Sequence, residues 1–230
     1  SCNLRAKDEY SGAGRSFPDK TKADSAITRS LREYGGRKAG TFMVRAASDR
    51  APELISACQL LGWIHEKSTP NSVLHNAVAE RAIQELNSME RAIRQQGGAP
   101  RRMWQYSVPH AESVLCTVPK LRVLRGPRHH ADGSRRPRPK APIEEWNRFT
   151  STTGFRGLWR NILPLFVECV GFIPAEIRAA HDDPGFIGTY LGEVSTAAAT
   201  RVTRSSRVLR HSDRKIVSCR HVEINSAVYP

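Results

Sequence analysis

Two acidic residues stand where a metal-dependent nucleic-acid enzyme could use them. Asp49 follows an apolar run that begins at Thr41, and Glu80 lies in a helical segment soon after Ser68-Thr69-Pro70. Residues 41–46 have a β-strand pattern, so the pair is a strand-end aspartate and a helix-borne glutamate. Carboxylates in such positions can face a common divalent cation, which activates a nucleophile for phosphoryl transfer. We therefore predict catalytic, metal-ligating roles for Asp49 and Glu80, with Mg²⁺ or Mn²⁺ as the cofactor.

Three helices are predicted in the part of the chain that contains this pair. Apolar residues at spacings of three and four indicate helices over residues 23–34, 52–61 and 76–96. The third helix has an apolar stripe of Val78, Ala82, Leu86, Met89 and Ile93. Asn76 is its predicted N-cap, which places Glu80 in the first turn, where the helix dipole favours a carboxylate.

Two further segments are predicted to be irregular. Residues 10–17 form a weak strand, because they contain two glycines and precede Pro18, and this end is expected to fray. A helix over residues 100–115 contains Pro109, which should kink or split it.

Positive charge is concentrated in two segments. The net charge is +14. Residues 101–140 hold ten Lys or Arg against two acids, and residues 201–220 hold seven against one, which accounts for the whole excess. A polyanion, DNA or RNA, is the predicted partner, because phosphate neutralisation releases counterions. The alternative is a solvated linker and a charged edge with no ligand.

Composition excludes several other classes. No apolar run approaches the roughly 18 residues of a membrane span, so no membrane association is predicted. The five cysteines are scattered without a CxxC pair, which indicates reduced thiols in an intracellular protein, and His129-His130 lacks the cysteines of a zinc site. The sequence has neither a GxSxG nucleophile motif nor a phosphate-binding glycine loop.

Several motifs resemble the integrase region of copia-type LTR retrotransposons, whose motifs include DDYSR, SDNGGEF and TPQQNGVAER. The corresponding segments here are Asp8-Glu9-Tyr10-Ser11-Gly12, then Ser48-Asp49-Arg50-Ala51-Pro52-Glu53-Leu54, then residues 69–81. Residues 141–147 resemble the TPYEKW segment of that family, residues 186–192 its GVFLGY strand, and residues 217–223 its VVSRDVxF strand. These likenesses occur in the order of the family and span most of the chain.

The resemblance implies an α/β fold with an RNase H-like core, a basic linker and a small SH3-like β module. The implied boundaries are residues 1–118, 119–150 and 151–230. It also implies metal-dependent DNA integration in the complete parent, a nuclear location and a homo-oligomer. The expected nucleic-acid contacts are Asn76, Arg81, Arg125, Arg128, Arg135, Arg136, Arg204 and Arg207.

The chain also departs from the family. The first catalytic Asp of the family lies upstream of the DDYSR motif, so we expect it to be absent here, and Asp8 belongs to a different strand. Asp49 and Glu80 are separated by 30 residues rather than the 35 of the family. The chain is therefore expected to be inactive or feeble, as a fragment of a polyprotein or a decayed copy. The alternatives are a non-catalytic nucleic-acid-binding module and a transposon remnant without a stable function.

Overall fold

The computed structural model describes residues 2–35, 44–68, 73–118, 141–144, 146, 162–173, 178, 183–193 and 205–224. Within these ranges the chain is a mixed α/β protein with three sheets. No helix in the described ranges has the length and apolarity that a bilayer crossing requires. The elements up to residue 118 carry Asp49 and Glu80, and a separate five-stranded sheet follows.

The chain begins with an antiparallel hairpin of β1 (Cys2–Lys7) and β2 (Gly14–Asp19), paired over all six residues of each strand. Asp8 organises the turn, because its Oδ2 accepts hydrogen bonds from the backbone N–H and the hydroxyl of Ser11, both at 2.6 Å. Gly12 has φ +72°, which a side chain would disfavour. The expectation of a frayed end was wrong, since the glycines lie in the turn and at the start of β2.

A parallel pair of strands carries the segment that leads to Asp49. Helix α1 (Asp24–Gly35) precedes β3 (Arg45–Ser48), helix α2 (Pro52–Leu61) follows it, and β4 (Ile64–Lys67) pairs with β3. Gly62 ends α2 with φ +68°, as the sequence predicts. Helices α1 and α2 bury Leu31, Ala57, Cys58 and Trp63 against apolar side chains from β1 and β3, namely Leu4, Ala6, Val44 and Ala46.

Helices α3 (Val73–Gln96) and α4 (Trp104–Thr117) cover the other face of the hairpin. Leu86, Val108, Ala111 and Leu115 form their buried cluster. The predicted stripe of α3 is confirmed except at Val78, which is 60% exposed.

Two predictions about these helices were wrong. The helix α3 begins at Val73, so Asn76 lies inside it and Glu80 is its eighth residue, beyond the reach of a first-turn dipole effect. The predicted split at Pro109 is also wrong, because Pro109 lies inside the continuous helix α4, whereas a kink there stays a prediction. Tertiary packing on both sides of Pro109, at Val108 and Ala111, offsets the lost backbone hydrogen bond.

His110 gives α4 a predicted pH dependence. Burial lowers the pKa of His110 from 6.5 to about 4, because desolvation penalises the charged imidazole. The unfolded chain therefore binds the proton more readily, so the free energy of unfolding should decrease as the pH falls from about 6.5 towards 4. Urea titrations at several pH values should show that the free energy of unfolding decreases less with falling pH in His110→Gln than in the wild type. An equal pH slope in both proteins would show that His110 does not cause it.

The C-terminal part is a five-stranded antiparallel sheet in the order β8-β7-β6-β5-β9. Its strands are β5 (Glu168–Phe172), β6 (Gly185–Glu193), β7 (Ser206–Arg210), β8 (Ile216–Cys219) and β9 (Val222–Ile224). Only two residues separate β8 from β9, although they form opposite edges of the sheet. The sheet must therefore curl until its edges meet, as in a small barrel.

The barrel packs against the end of α3. Ile93 of α3 contacts both the helical cluster and the barrel core of Leu165, Tyr190 and Val208. A Cβ atom at Gly97 would lie 2.7 Å from the Cβ of Phe166, so the chain after α3 approaches the barrel closely. The boundaries 1–118, 119–150 and 151–230 stay predictions, because residues 119–140 and 147–161 lie outside the described ranges.

Candidate functional site: the end of strand β3 and the outer face of helix α3

Asp49 directly follows the last residue of β3 and is exposed. Its Oδ1 accepts one long hydrogen bond, 3.4 Å, from the backbone N–H of Ala51. Within the described ranges the strand is Arg45–Ser48, and residues 41–43 of the predicted strand lie outside them. The predicted position of Asp49 at a strand end is thus confirmed, and its carboxylate has free lone pairs.

Glu80 is exposed on α3. The described residues offer it neither a hydrogen bond nor an ion pair. Among them, no group of three or more His, Cys, Asp or Glu side chains is arranged to hold a metal ion. Asp49 and Glu80 could supply two oxygen ligands, while the remaining positions around Mg²⁺ would be filled by water. Their metal-binding and catalytic roles stay predictions.

A serine and a histidine fix the strand end beside Asp49. The Ser48 hydroxyl lies 2.7 Å from His65 Nε2 on β4 and 3.0 Å from the carbonyl oxygen of Asp49. The Nδ1 atom of His65 is buried and has no hydrogen-bond partner among the described residues. This pair is not apparent from the sequence, because Ser48 and His65 are 17 residues apart and only the parallel pairing brings them together.

One face of α3 is polar, exposed and free of acids beyond Glu80. Its members recur at spacings of three and four from Glu80 onward and so share one side of the helix. They are Gln84, Asn87, Ser88, Arg91 and Gln95, all exposed, and we call them the α3 outer row. From Gln84 to Gln95 the row extends about 16 Å.

Tertiary contacts keep the acids of α3 away from this row. Glu85 lies 3.6 Å from the Nζ atom of Lys7. Glu90 pairs with Arg94 at 3.0 Å and accepts a hydrogen bond of 2.7 Å from the Ser107 hydroxyl. The outer row therefore presents amides, a hydroxyl and a guanidinium, which are the groups that contact base edges and phosphates. Periodicity alone reveals the row, yet only the contacts show that its acidic neighbours are neutralised.

The structure describes the side chains of only two of the predicted nucleic-acid contacts, Arg81 and Arg207. Arg81 is exposed on α3, and it does not pair with Glu85, whose described ion-pair partner is Lys7. Arg207 lies half-buried on β7, on the face opposite the buried Val208. Asn76 is in the helix, although its side chain is not described. The remaining predicted contacts lie outside the described ranges, namely Arg125, Arg128, Arg135, Arg136 and Arg204.

A buried ion pair joins the hairpin to the helices beneath it. Arg5 of β1 and Glu112 of α4 have side chains only 6% and 4% exposed. The Arg5 Nη2 atom donates to Glu112 Oε1 at 2.8 Å, and Nε lies 2.7 Å from Oε2. The Ser16 hydroxyl donates to Oε2 at 3.1 Å. Arg5 Nη1 donates to the carbonyl oxygen of Ala82 in α3. This network is not apparent from the sequence, because Arg5 and Glu112 are 107 positions apart.

Comparisons with known proteins add one distant similarity. No family model and no curated protein matches the chain. The chain is similar to a chain in the cryo-EM structure of a simian T-cell lymphotropic virus intasome in complex with PP2A regulatory subunit B56 gamma. The identity is 13%, the TM-score is 0.43, and the match covers 93% of this chain and 67% of the other. Values this low establish neither a shared fold nor a shared function.

Proposed function

We propose that this protein binds DNA through the α3 outer row and belongs to a DNA-integration scaffold. The observation that supports this function is the row itself, a long exposed helix face with amides and a guanidinium and without an unpaired acid beyond Glu80. Arginine favours guanine and phosphate, while asparagine and glutamine favour adenine, so the row has the groups that a DNA groove accepts. The basic segments over residues 101–140 and 201–220 would add contacts to phosphates.

The integration part of the proposal rests on sequence motifs and on two carboxylates. Asp49 and Glu80 match the second and third acids of the copia-type motifs, and both are exposed with free oxygens. The RNase H-like assignment of the first half is supported by the β1-β2 hairpin, which has α1 and α2 on one face and α3 and α4 on the other, and by the parallel pair β3-β4 beside it. The SH3-like assignment agrees with the curled five-stranded sheet. In the complete parent, the activity would be metal-dependent joining of DNA ends.

The DNA-binding proposal is tested by removing the outer row. In Asn87→Ala/Arg91→Ala, the loss of one amide and one guanidinium should weaken binding to duplex DNA about 10–100-fold. The matched control is Gln59→Ala/Arg32→Ala, which removes the same two groups from exposed positions on α2 and α1, on the opposite face of the sheet. Fluorescence anisotropy at one fixed salt concentration measures both. Equal affinities for the two variants would refute the outer row as the binding surface.

The metal role is tested separately. We expect Mn²⁺ to bind weakly, and Asp49→Asn and Glu80→Gln should each lower its affinity further, because each removes an anionic oxygen ligand. Titrations followed by electron paramagnetic resonance measure the free Mn²⁺. Glu66→Gln is a suitable control, since Glu66 is paired with Arg45 at 3.0 Å. Unchanged titrations for Asp49→Asn and Glu80→Gln would leave both residues without a metal role.

A non-catalytic nucleic-acid-binding module is the second candidate. It is favoured by the absence, among the described residues, of a third acid beside Asp49 and Glu80. Two shared carboxylates do not complete the two-metal arrangement that in-line phosphoryl transfer uses. Outer-row variants that lose DNA affinity, combined with carboxylate variants that bind Mn²⁺ like the wild type, would support this candidate.

A further inference from the structure

The network around Arg5 connects the sheet to α3 at the level of Glu80. The carbonyl of Ala82, two residues after Glu80, accepts a hydrogen bond from Arg5 Nη1. Ala82 is itself 5% exposed, so the contact lies inside the fold. A carbonyl within an α-helix already accepts an intrahelical hydrogen bond, and Arg5 supplies a second donor to it. The guanidinium therefore holds α3 at one position along its axis rather than merely covering its surface.

Glu112 holds that guanidinium in place. Its Oε1 atom accepts a hydrogen bond from Nη2 of Arg5, and its Oε2 atom accepts one from the Ser16 hydroxyl. Oε2 also lies 2.7 Å from Nε of Arg5, as an ion pair without hydrogen-bond geometry. A Cβ atom at Gly14 would lie 2.2 Å from Glu112 Oε1, so only glycine leaves room for the carboxylate. Glu112 thus fixes one edge of the planar guanidinium, while the Nη1 atom donates to the Ala82 carbonyl oxygen of α3.

The same strand is linked to the segment that bears Asp49. Side chains alternate along β1, so Arg5 faces α3 and α4, while Leu4 and Ala6 face α1 and α2. Leu4 and Ala6 share their core cluster with Val44 and Ala46 of the β3 segment. β1 is therefore the element through which the position of α3 is coupled to the strand that ends at Asp49.

We propose that Arg5 and Glu112 are positioning residues that set the axial position of α3, and with it the height of Glu80 relative to Asp49. This inference rests on the proposed function for its consequence in metal binding. A neutral pair of the same bulk would fill the space but would leave the Ala82 carbonyl without its second donor. The helix α3 would keep its apolar contacts and the Lys7–Glu85 pair but lose this hydrogen bond to β1, so we expect it to shift along the hairpin.

The experiment measures the distance between β3 and α3 directly in the full chain. Spin labels are attached at Arg50→Cys and Arg81→Cys in a Cys2→Ser background, where the four other cysteines are buried. In Arg5→Met/Glu112→Leu we expect the mean distance to shift by about 1.5 Å or more, which is the rise of one helical residue. In unlabelled protein, Mn²⁺ affinity should fall about 10-fold, as for other residues that support metal ligands.

The matched control is Arg15→Met/Glu33→Leu. It removes an ion pair of 2.5 Å between β2 and α1, on the side of the hairpin away from α3. We expect no shift in the label distance for this variant. If Arg5→Met/Glu112→Leu is folded and its label distance equals that of the wild type, the pair only stabilises the fold and the inference is wrong.

Two further outcomes of the spin-label experiment can be told apart. If the double variant does not fold, Arg5→Lys replaces it, because it keeps a positive charge beside Glu112 but replaces the planar fork that joins Glu112 to the Ala82 carbonyl with a single ammonium. An unchanged distance in folded Arg5→Lys overturns the inference equally. If the wild type binds neither Mn²⁺ nor DNA, the proposed function fails, while the label distances still decide whether Arg5 and Glu112 position α3.

Discussion

DNA affinity is expected to fall about 10³-fold between 50 and 200 mM salt if the protein contacts about six phosphates. The physical reason is counterion release, which makes the logarithm of the binding constant decrease linearly with the logarithm of the salt concentration. The charge distribution supports this number of contacts, because residues 101–140 and 201–220 together hold 17 Lys or Arg. Anisotropy titrations at four or more salt concentrations give the slope.

The slope of the logarithm of the binding constant against the logarithm of the salt concentration distinguishes phosphate contacts from base contacts. Arg81→Gln should reduce it by about one, since each phosphate contact contributes nearly one unit. Asn87→Ala removes an uncharged group, so it should lower affinity without changing the slope. Arg32→Gln on α1 is the charge-matched control for Arg81→Gln. A wild-type affinity that is independent of salt would contradict the nucleic-acid function as a whole.

The largest expected effect on stability comes from breaking the buried ion pair. Arg5→Met should lower the free energy of unfolding by about 3–5 kcal/mol, because it leaves Glu112 charged and unpaired in the interior. Glu112→Leu should lower the free energy of unfolding by a similar amount, because it leaves the Arg5 guanidinium charged and unpaired in the interior. Urea unfolding of each single variant measures the loss.

The double variant provides the control for this prediction. Arg5→Met/Glu112→Leu should recover most of the loss, because an apolar pair of similar volume is often neutral or stabilising relative to a buried ion pair. The difference between the double variant and the sum of the single variants gives the coupling energy. Single variants that each cost less than about 1 kcal/mol would show that water reaches the pair.

Local sequence patterns determined the elements of this protein. Alternation and helical periodicity predicted α1, α2 and α3 to within a few residues, and Gly62 ended α2 where its lack of a side chain permits φ +68°. The same patterns placed Asp49 after a strand and Glu80 on a helix. These features depend on neighbours within about one helical turn or one strand, so they can be predicted from the local sequence.

Only the tertiary structure decided which polar groups are available to bind a ligand. Asp8 belongs to a turn, Glu85 and Glu90 are paired, and Val78 is exposed although it lies on the predicted apolar stripe. The contact between Arg5 and Glu112 spans 107 positions. A buried charge is tolerated only where a distant partner neutralises it, and no local pattern encodes that partner.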